Sequence, residues 1–389
     1  MAFALSVWLA VQEEFLGYED EPVKPYASPV HPAVLPIQPD APSRTLLDEL
    51  DDQSLFESFH LTRPCISFLL DLLERQIDRV RQPEHTAEGM ILLALNFYAM
   101  GTVSADLLVK TGVRSLDSSG VIALVSKHLS DMADQLIALP ETRKDQGDLA
   151  AVNKRSCGIP RVLGVLGTAH FRTQDHSEVF RSPLFLNTHG YTSVVCQVVC
   201  DLAGYLLNVE RCQIGSKPNH ELWMSSSIKL KDSIAPEFWL VVGRGYEQSP
   251  NLLPAFSKPV NQHQASFNAA QGRARAVLSC TLGRLKQRFR VLQLLGSVDE
   301  RLDGKQRVIE ACCVLHNLAN QFSVPAASGT ARDLQHPAKT SWFPQERIGV
   351  NRSRLLLDRL QLLADFSPPP GGHAAMATES EEEDPSTTH

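Results

Sequence analysis

The side chains of this chain that could do chemistry are five scattered acids, a pair of histidines, a pair of cysteines and one basic run. Asp175, Asp201, Glu210, Glu221 and Glu247 fall within some seventy residues of one another. Three such carboxylates within ligand reach would hold a divalent cation and support hydrolysis of a phosphate ester. Their local settings argue otherwise. Asp201 opens a D-x-x-G turn, where an Asp accepts the backbone N–H groups of its own turn, and Glu210 and Glu221 read as solvated. His170 lies with Asp175 and His176 just after an apolar run, but alternation takes it off the strand face, which suits a packed or hydrogen-bonded histidine. Cys196 and Cys200, four apart in a strand pattern, point to one buried face and read as core. No nucleophile elbow, phosphate-cradling P-loop or paired Cys-x-x-Cys motif is present.

The basic run is denser. Arg273, Arg275, Arg284, Lys286, Arg288 and Arg290 place six positive charges with no acid between them over 272–290, in a helical pattern. Two readings apply: the solvated face of a helix, or a surface for phosphate or an acidic partner.

Elements to carry these residues can be read from periodicity. Seven prolines over 22–42 mark an extended linker after an N-terminal segment whose apolar run is too short to span a bilayer, so 1–45 is set apart from the fold. Over 46–140 apolar residues recur at helical spacing, as in Phe68, Leu69, Leu72 and Leu73, then Ile91, Leu92, Leu95 and Tyr98; breaks are expected at Gly101 and Gly112, and a helix start at Thr62 with Pro64. After a polar connector containing Arg143, Lys144 and Asp145 the period changes. VLGVLG, TSVVCQVVC and YLLNVERC read as three strands, a helix is expected around 222–231, FWLVVGRGY reads as a fourth strand, and long helices are expected over 269–295 and 306–321. Beyond 324 the chain is rich in Pro, Ser and Gly, apart from a helix pattern over 352–363 and an acidic tail whose composition predicts disorder.

Composition limits the function. With 389 residues, 43% of them hydrophobic, the chain can bury a sizeable core, and its eight cysteines sit mostly in apolar runs, which suits free thiols in a reducing compartment. A net charge of −7 leaves no global field favouring nucleic acid, so any phosphate contact would be local. No run approaches a membrane-spanning helix.

Several motifs in order, GIPRVLGVLGTAHF, HGYTSVVCQVVCDLAGYLLNVERCQIGS, LVVGRGYEQSPNLLPAF, FNAAQGRARAVLSCTLGRLKQRFR and VIEACCVLHNLANQ, resemble the Harbinger transposase-derived nuclease family of the DDE superfamily over about 59–322. The resemblance implies an α/β fold: an all-helical N-terminal module with a degenerate helix-turn-helix at 46–140, an RNase H-like DDE core at 155–323, and a C-terminal extension at 324–389. It also implies two divalent metals held by acids. At the matching positions this chain has Gly167, Asn219, Gly243 and Ser279. Glycine supplies no side-chain oxygen, and Asn and Ser supply neutral ones, so catalytic residues, cofactor and metal are all expected to be absent.

The family's DNA-reading helix would fall on 116–128. There Arg114 and Lys127 stand against Asp117, Asp131 and Asp134, a net charge of −1 over 111–139, which disfavours entry into a major groove. The resemblance therefore implies a non-catalytic protein-interaction scaffold in the nucleus, with a Myb/SANT-like or chromatin-associated partner and at most weak nucleic-acid contact. Lys154 and Arg155 make too short a basic cluster to serve as an import signal, so nuclear placement, or nucleus and cytoplasm together, follows from the resemblance. The alternatives are a divergent metal-dependent nuclease, which requires at least three of the five acids to converge, and a non-catalytic nucleic-acid binder using the basic helix.

Overall fold

Helix boundaries in the N-terminal half follow the local chemistry read above. The computed structural model describes residues 45–79, 84–173, 182–246, 249–297 and 301–327. Helix α1 (Asp52–Phe59) starts at Asp51, whose carboxylate accepts the N–H groups of Gln53 and Ser54. Helix α2 (Arg63–Asp78) starts at Thr62 with Pro64 in its first turn. Helices α3 (Ala87–Met100) and α4 (Ala105–Thr111) end at Gly101 and Gly112, both left-handed, with φ of 81° and 67°. Helix α5 is Ser118–Ser130, and four-residue helices also form at Thr45–Asp48 and Ala133–Leu136.

The segment 143–145 is not a connector. It is the first turn of helix α6 (Arg143–Cys157), closed by Thr142, whose hydroxyl accepts the Asp145 N–H at 3.1 Å and donates to the Asp145 carboxylate at 2.7 Å. Its buried face contains Gln146 and Asn153 as well as Leu149, Ala150 and Cys157, so a hydrophobic pattern could not reveal it.

The core sheet runs β3-β2-β1-β5-β6, with a short β4 also paired to β2. Strand β1 (Val162–Arg172) extends well past the expected VLGVLG; β2 is Ser193–Cys200, β3 is Leu206–Val209, β4 is Gln213–Ile214, β5 is Trp239–Val242 and β6 is Leu252–Pro254. Strands β1, β2 and β3 are antiparallel neighbours, while β1–β5 and β5–β6 are parallel. This mixed α/β arrangement is RNase H-like. Strand β6 went unread because it is three residues long and ends in Pro254, a residue that cannot donate to a ladder.

The helix expected around 222–231 is two short helices, α7 (Asn219–Met224) and α8 (Ser227–Leu230), broken at Ser225 and Ser226. The last two helices are α9 (Gln262–Arg288) and α10 (Leu302–Gln321), both beginning earlier than expected.

Alternation divides the sheet. Val165, Ala169, Phe171, Cys196 and Val198 face a core shared with α9, α10 and the N-terminal helices; Leu163, Leu166, Val199, Leu240 and Val242 face a second one around Trp223 and Phe238. Asn317 on α10 ties elements across the first core. Its amide accepts from Leu206 N and donates to the carbonyls of Leu206 and Leu136, all at 2.8–2.9 Å.

All eight cysteines are free thiols, Cys280 exposed and the rest buried. No helix among the described residues is long and apolar enough to cross a membrane. The N-terminal segment and proline-rich linker, the helix pattern over 352–363 and the acidic tail lie outside the described residues.

Candidate functional site

Three positions far apart in sequence, Gly167, Asn219 and Gly243, meet at the carboxyl ends of β1 and β5. The parallel register pairs Leu166 with Val242, so the next residues, Gly167 and Gly243, stand side by side where β5 stops. Here β1 has an antiparallel neighbour on one side and a parallel one on the other, the kind of switch point at which open α/β sheets bind ligands. Asn219, at the start of α7, donates its amide N–H to Arg244 O at 3.3 Å, and its Oδ1 lies 3.5 Å from Thr168 Oγ1. Ser279 is exposed on α9, directly after the buried Leu278 that contacts β1.

The space above the two glycines is filled. A Cβ on Gly167 would come within 2.5 Å of Leu278 Cδ2, and one on Gly243 would meet Arg275 Nη2 at 3.1 Å. Helix α9 is fixed in this pose by Gln271, whose amide donates to Val242 O at 2.7 Å. One helix face thus presents a leucine and a guanidinium to the two positions where a metal site would need carboxylates. Arg275 is solvent-exposed as a whole, yet its guanidinium is partly desolvated against Gly243, and this together with the nearby Arg244 lowers its pKa from the ordinary arginine value.

The donors present do not fit a divalent cation. Two of the four positions have no side-chain oxygen, the Asn219 amide is occupied with Arg244 and Thr168, and Arg275 places positive charge where the metals would sit. Among the described residues no three His, Cys, Asp or Glu side chains gather into a metal set.

The five scattered acids are accounted for as far as the structure describes them. Asp201 is buried and accepts the N–H groups of Ala203 and Tyr205 at 2.9 and 2.8 Å, the turn role its sequence indicates. Burial raises its pKa to about 6 despite those bonds. Glu210 is not simply solvated: it accepts from Ser227 N and Oγ at 2.9 and 2.7 Å and so holds the start of α8. Glu221 is exposed beside His220. Asp175, His176 and Glu247 lie outside the described residues. His170 is packed, with Nδ1 3.1 Å from Ser193 Oγ, and burial lowers its pKa to about 4.

The basic run does not form one surface. Arg288 is buried and donates to the carbonyls of His60, Val324 and Pro325; a helix side chain facing inward cannot serve as a docking charge. Lys286 donates to His170 O at 2.8 Å and lies over the Phe171 ring. Arg273, Arg284 and Arg290 are exposed, and Arg275 belongs to the site above Gly243. Sequence alone gave Arg275 the same weight as its five neighbours, because its pairing with Gly243 depends on the pose of α9.

The helix expected to read DNA is α5. It turns Val121, Ile122, Val125, Ser126 and Leu129 inward and exposes Ser119, Gly120, Ala123 and Lys127, and Lys127 is paired with Asp131 at 2.5 Å. Just before it, Arg114 pairs with Asp117 at 2.7 Å and with Glu84 at 3.5 Å.

Residues 166–317 match the family described as DDE superfamily endonuclease. Similar full-length proteins carry the name Putative nuclease HARBI1: that of Xenopus laevis is 26% identical over 302 residues, covering 76% of this chain and 86% of that protein. The Mus musculus protein is 28% identical over 281 residues (71% and 80%), and the Homo sapiens protein 24% over 321 residues (80% and 90%). No solved structure matches.

Proposed function

From a chain that carries a DDE superfamily endonuclease domain and is homologous to the Harbinger transposase-derived, nuclease-like HARBI1 proteins, we propose a protein that has kept the nuclease fold and lost its reaction, serving as a nuclear protein-interaction scaffold. The observation that carries this reading is the filled site: Leu278 and Arg275 occupy the space over Gly167 and Gly243. A two-metal hydrolase works by holding cations between carboxylates and the substrate phosphate, and the described residues offer neither the carboxylates nor the room. The cores on both faces of the sheet are complete, so the fold is maintained where the metal ligands are not.

The partner we propose is a Myb/SANT-like or chromatin-associated protein, which would supply the DNA reading that α5 is poorly equipped to do. Two experiments test the proposal. The full chain is incubated with supercoiled DNA in Mn²⁺ or Mg²⁺; no nicking above an EDTA control is expected, and metal-dependent turnover would overturn the inactive reading. Affinity capture from nuclear extract is read by mass spectrometry; enrichment of a Myb/SANT-like or chromatin protein is expected, and recovery of chaperones alone would sink the scaffold reading.

The alternative of a nuclease with relocated acids would have to use Asp175, Glu221 and Glu247, because Asp201 and Glu210 are engaged in backbone capping. A non-catalytic nucleic-acid contact is favoured by one observation, the guanidinium above Gly243.

A further inference from the structure

The former metal position is not merely vacant of acids; it holds a charge of the opposite sign. Arg275 lies against Gly243, and Arg244, the next residue in the loop, is near enough to repel it. Neither guanidinium has an acid partner among the described residues, in contrast to Arg63, Arg114 and Arg143, which are ion-paired. Two like charges held together without a counter-ion are unfavourable unless an anion joins them, and the planar guanidinium offers paired donors that match a phosphate. The loop that carries Arg244 is held from below, since Asn219 Nδ2 donates to Arg244 O and Gly245 takes a left-handed φ of 85°. Helix α9 is held by Gln271 on Val242 O. The two arginines are therefore carried on anchored elements beside Gly243, at the carboxyl end of β5.

We propose that this site binds a phosphate oxyanion directly, without a metal, through Arg275 and Arg244. The group is supplied by a nucleic-acid strand, with free phosphate as its competitor. The inference rests on the reading of the site as metal-free, and working in EDTA separates the two: metal-dependent cleavage would defeat that reading, whereas binding in EDTA judges the anion contact alone.

The experiment follows the anisotropy of a labelled single-stranded oligonucleotide with the full chain in EDTA. Binding is expected; it should be reversed by inorganic phosphate more than by chloride of equal ionic strength. Arg275→Gln and Arg244→Gln should each weaken it about tenfold and lower the salt slope by about 0.7, the loss of one phosphate contact. Arg284→Gln, on exposed helix away from the glycines, should leave it unchanged. Thermal melting of each variant checks folding, and Arg244→Gln, in a loop, keeps the test valid if Arg275→Gln is unstable. The proposal is overturned if the wild-type chain does not bind in EDTA, if both site variants bind normally, or if chloride displaces the strand as well as phosphate does. Polyglutamate binding that is lost equally in the variants would assign the site to acidic peptides and would overturn it as well.

Discussion

Arg288 and His60, 228 residues apart, hold each other by their main chains: Arg288 Nη1 donates to His60 O at 2.6 Å, and His60 Nδ1 meets Arg288 O at 2.7 Å. His60 can offer its carbonyl this way because it ends α1 in a left-handed conformation, φ 53°. The second guanidinium nitrogen reaches Val324 and Pro325, so one buried side chain joins the N-terminal helices, the end of α9 and the segment after α10. Truncation leaves three carbonyls without their charged donor. Arg288→Ala should cost about 3 kcal/mol, and Arg288→Lys should recover less than half, since one ammonium cannot span both directions. Urea midpoints of the three proteins check this; an Arg288→Ala loss below about 1 kcal/mol would show that the bonds contribute little.

Two exposed helical glycines predict the opposite effect. A Cβ on Gly120 in α5 or Gly272 in α9 meets nothing within 4 Å, and neither residue has positive φ. Alanine at either position should stabilise by about 0.5–1 kcal/mol, through helix propensity and a less flexible unfolded chain. Thermal melting that shows destabilisation in either variant would mean that its helix is packed against something in solution.

Sequence reading reached the fold where apolar residues carry the period, and failed where polar residues do. Strands β1 and β2 and helices α2 and α3 were legible because their buried faces are rich in Val, Leu and Ile. Helix α6 was hidden because Gln146 and Asn153 face inward, where Gln146 serves Pro140 and Ser233 and Asn153 serves Val162 and Leu163. At the candidate site, what covers Gly167 and Gly243 could not be read from the sequence. That Leu278 faces Gly167 and Arg275 faces Gly243 depends on the rotation of α9 and its fixing by Gln271, a tertiary fact. Arg288 shows the same limit: in sequence it is one of six basic residues, and burial separates it from the rest.

Acidification should weaken the fold through its buried histidines. His316 is fully buried near Gly204 O, and desolvation lowers its pKa to about 4 from 6.5. Below pH 6.5 the unfolded chain takes up a proton that the folded one refuses, so this contribution is complete above 6.5 and is lost as pH falls towards 4. His170 acts in the same direction. Asp201, raised to about 6 by burial, acts in the opposite sense: its contribution is present below 3.8 and is lost as pH rises through 6, so it offsets part of the histidine effect between 4 and 6. His316→Gln should reduce the stability difference between pH 7 and pH 5 by up to about 2 kcal/mol. Urea titrations at the two values test this, and an unchanged difference would remove His316 as the cause.

Placing acids at the four positions should not by itself create a metal site. Gly243→Asp places its carboxylate beside the Arg275 guanidinium, and the two would pair with each other in preference to a cation. Gly167→Asp meets Leu278 and forces that side chain aside, at about 1–3 kcal/mol. The quadruple change Gly167→Asp, Asn219→Asp, Gly243→Asp and Ser279→Glu should therefore show no Mn²⁺-dependent rise in melting temperature. Adding Arg275→Ala and Leu278→Ala removes the competing charge and opens the space, and Mn²⁺ at 100-fold over its Kd should then stabilise the protein by about 2.7 kcal/mol. If the quadruple variant binds Mn²⁺ as well as the sextuple one does, then Arg275 and Leu278 do not guard the position, and the residue types at the four positions alone decide whether metal binds.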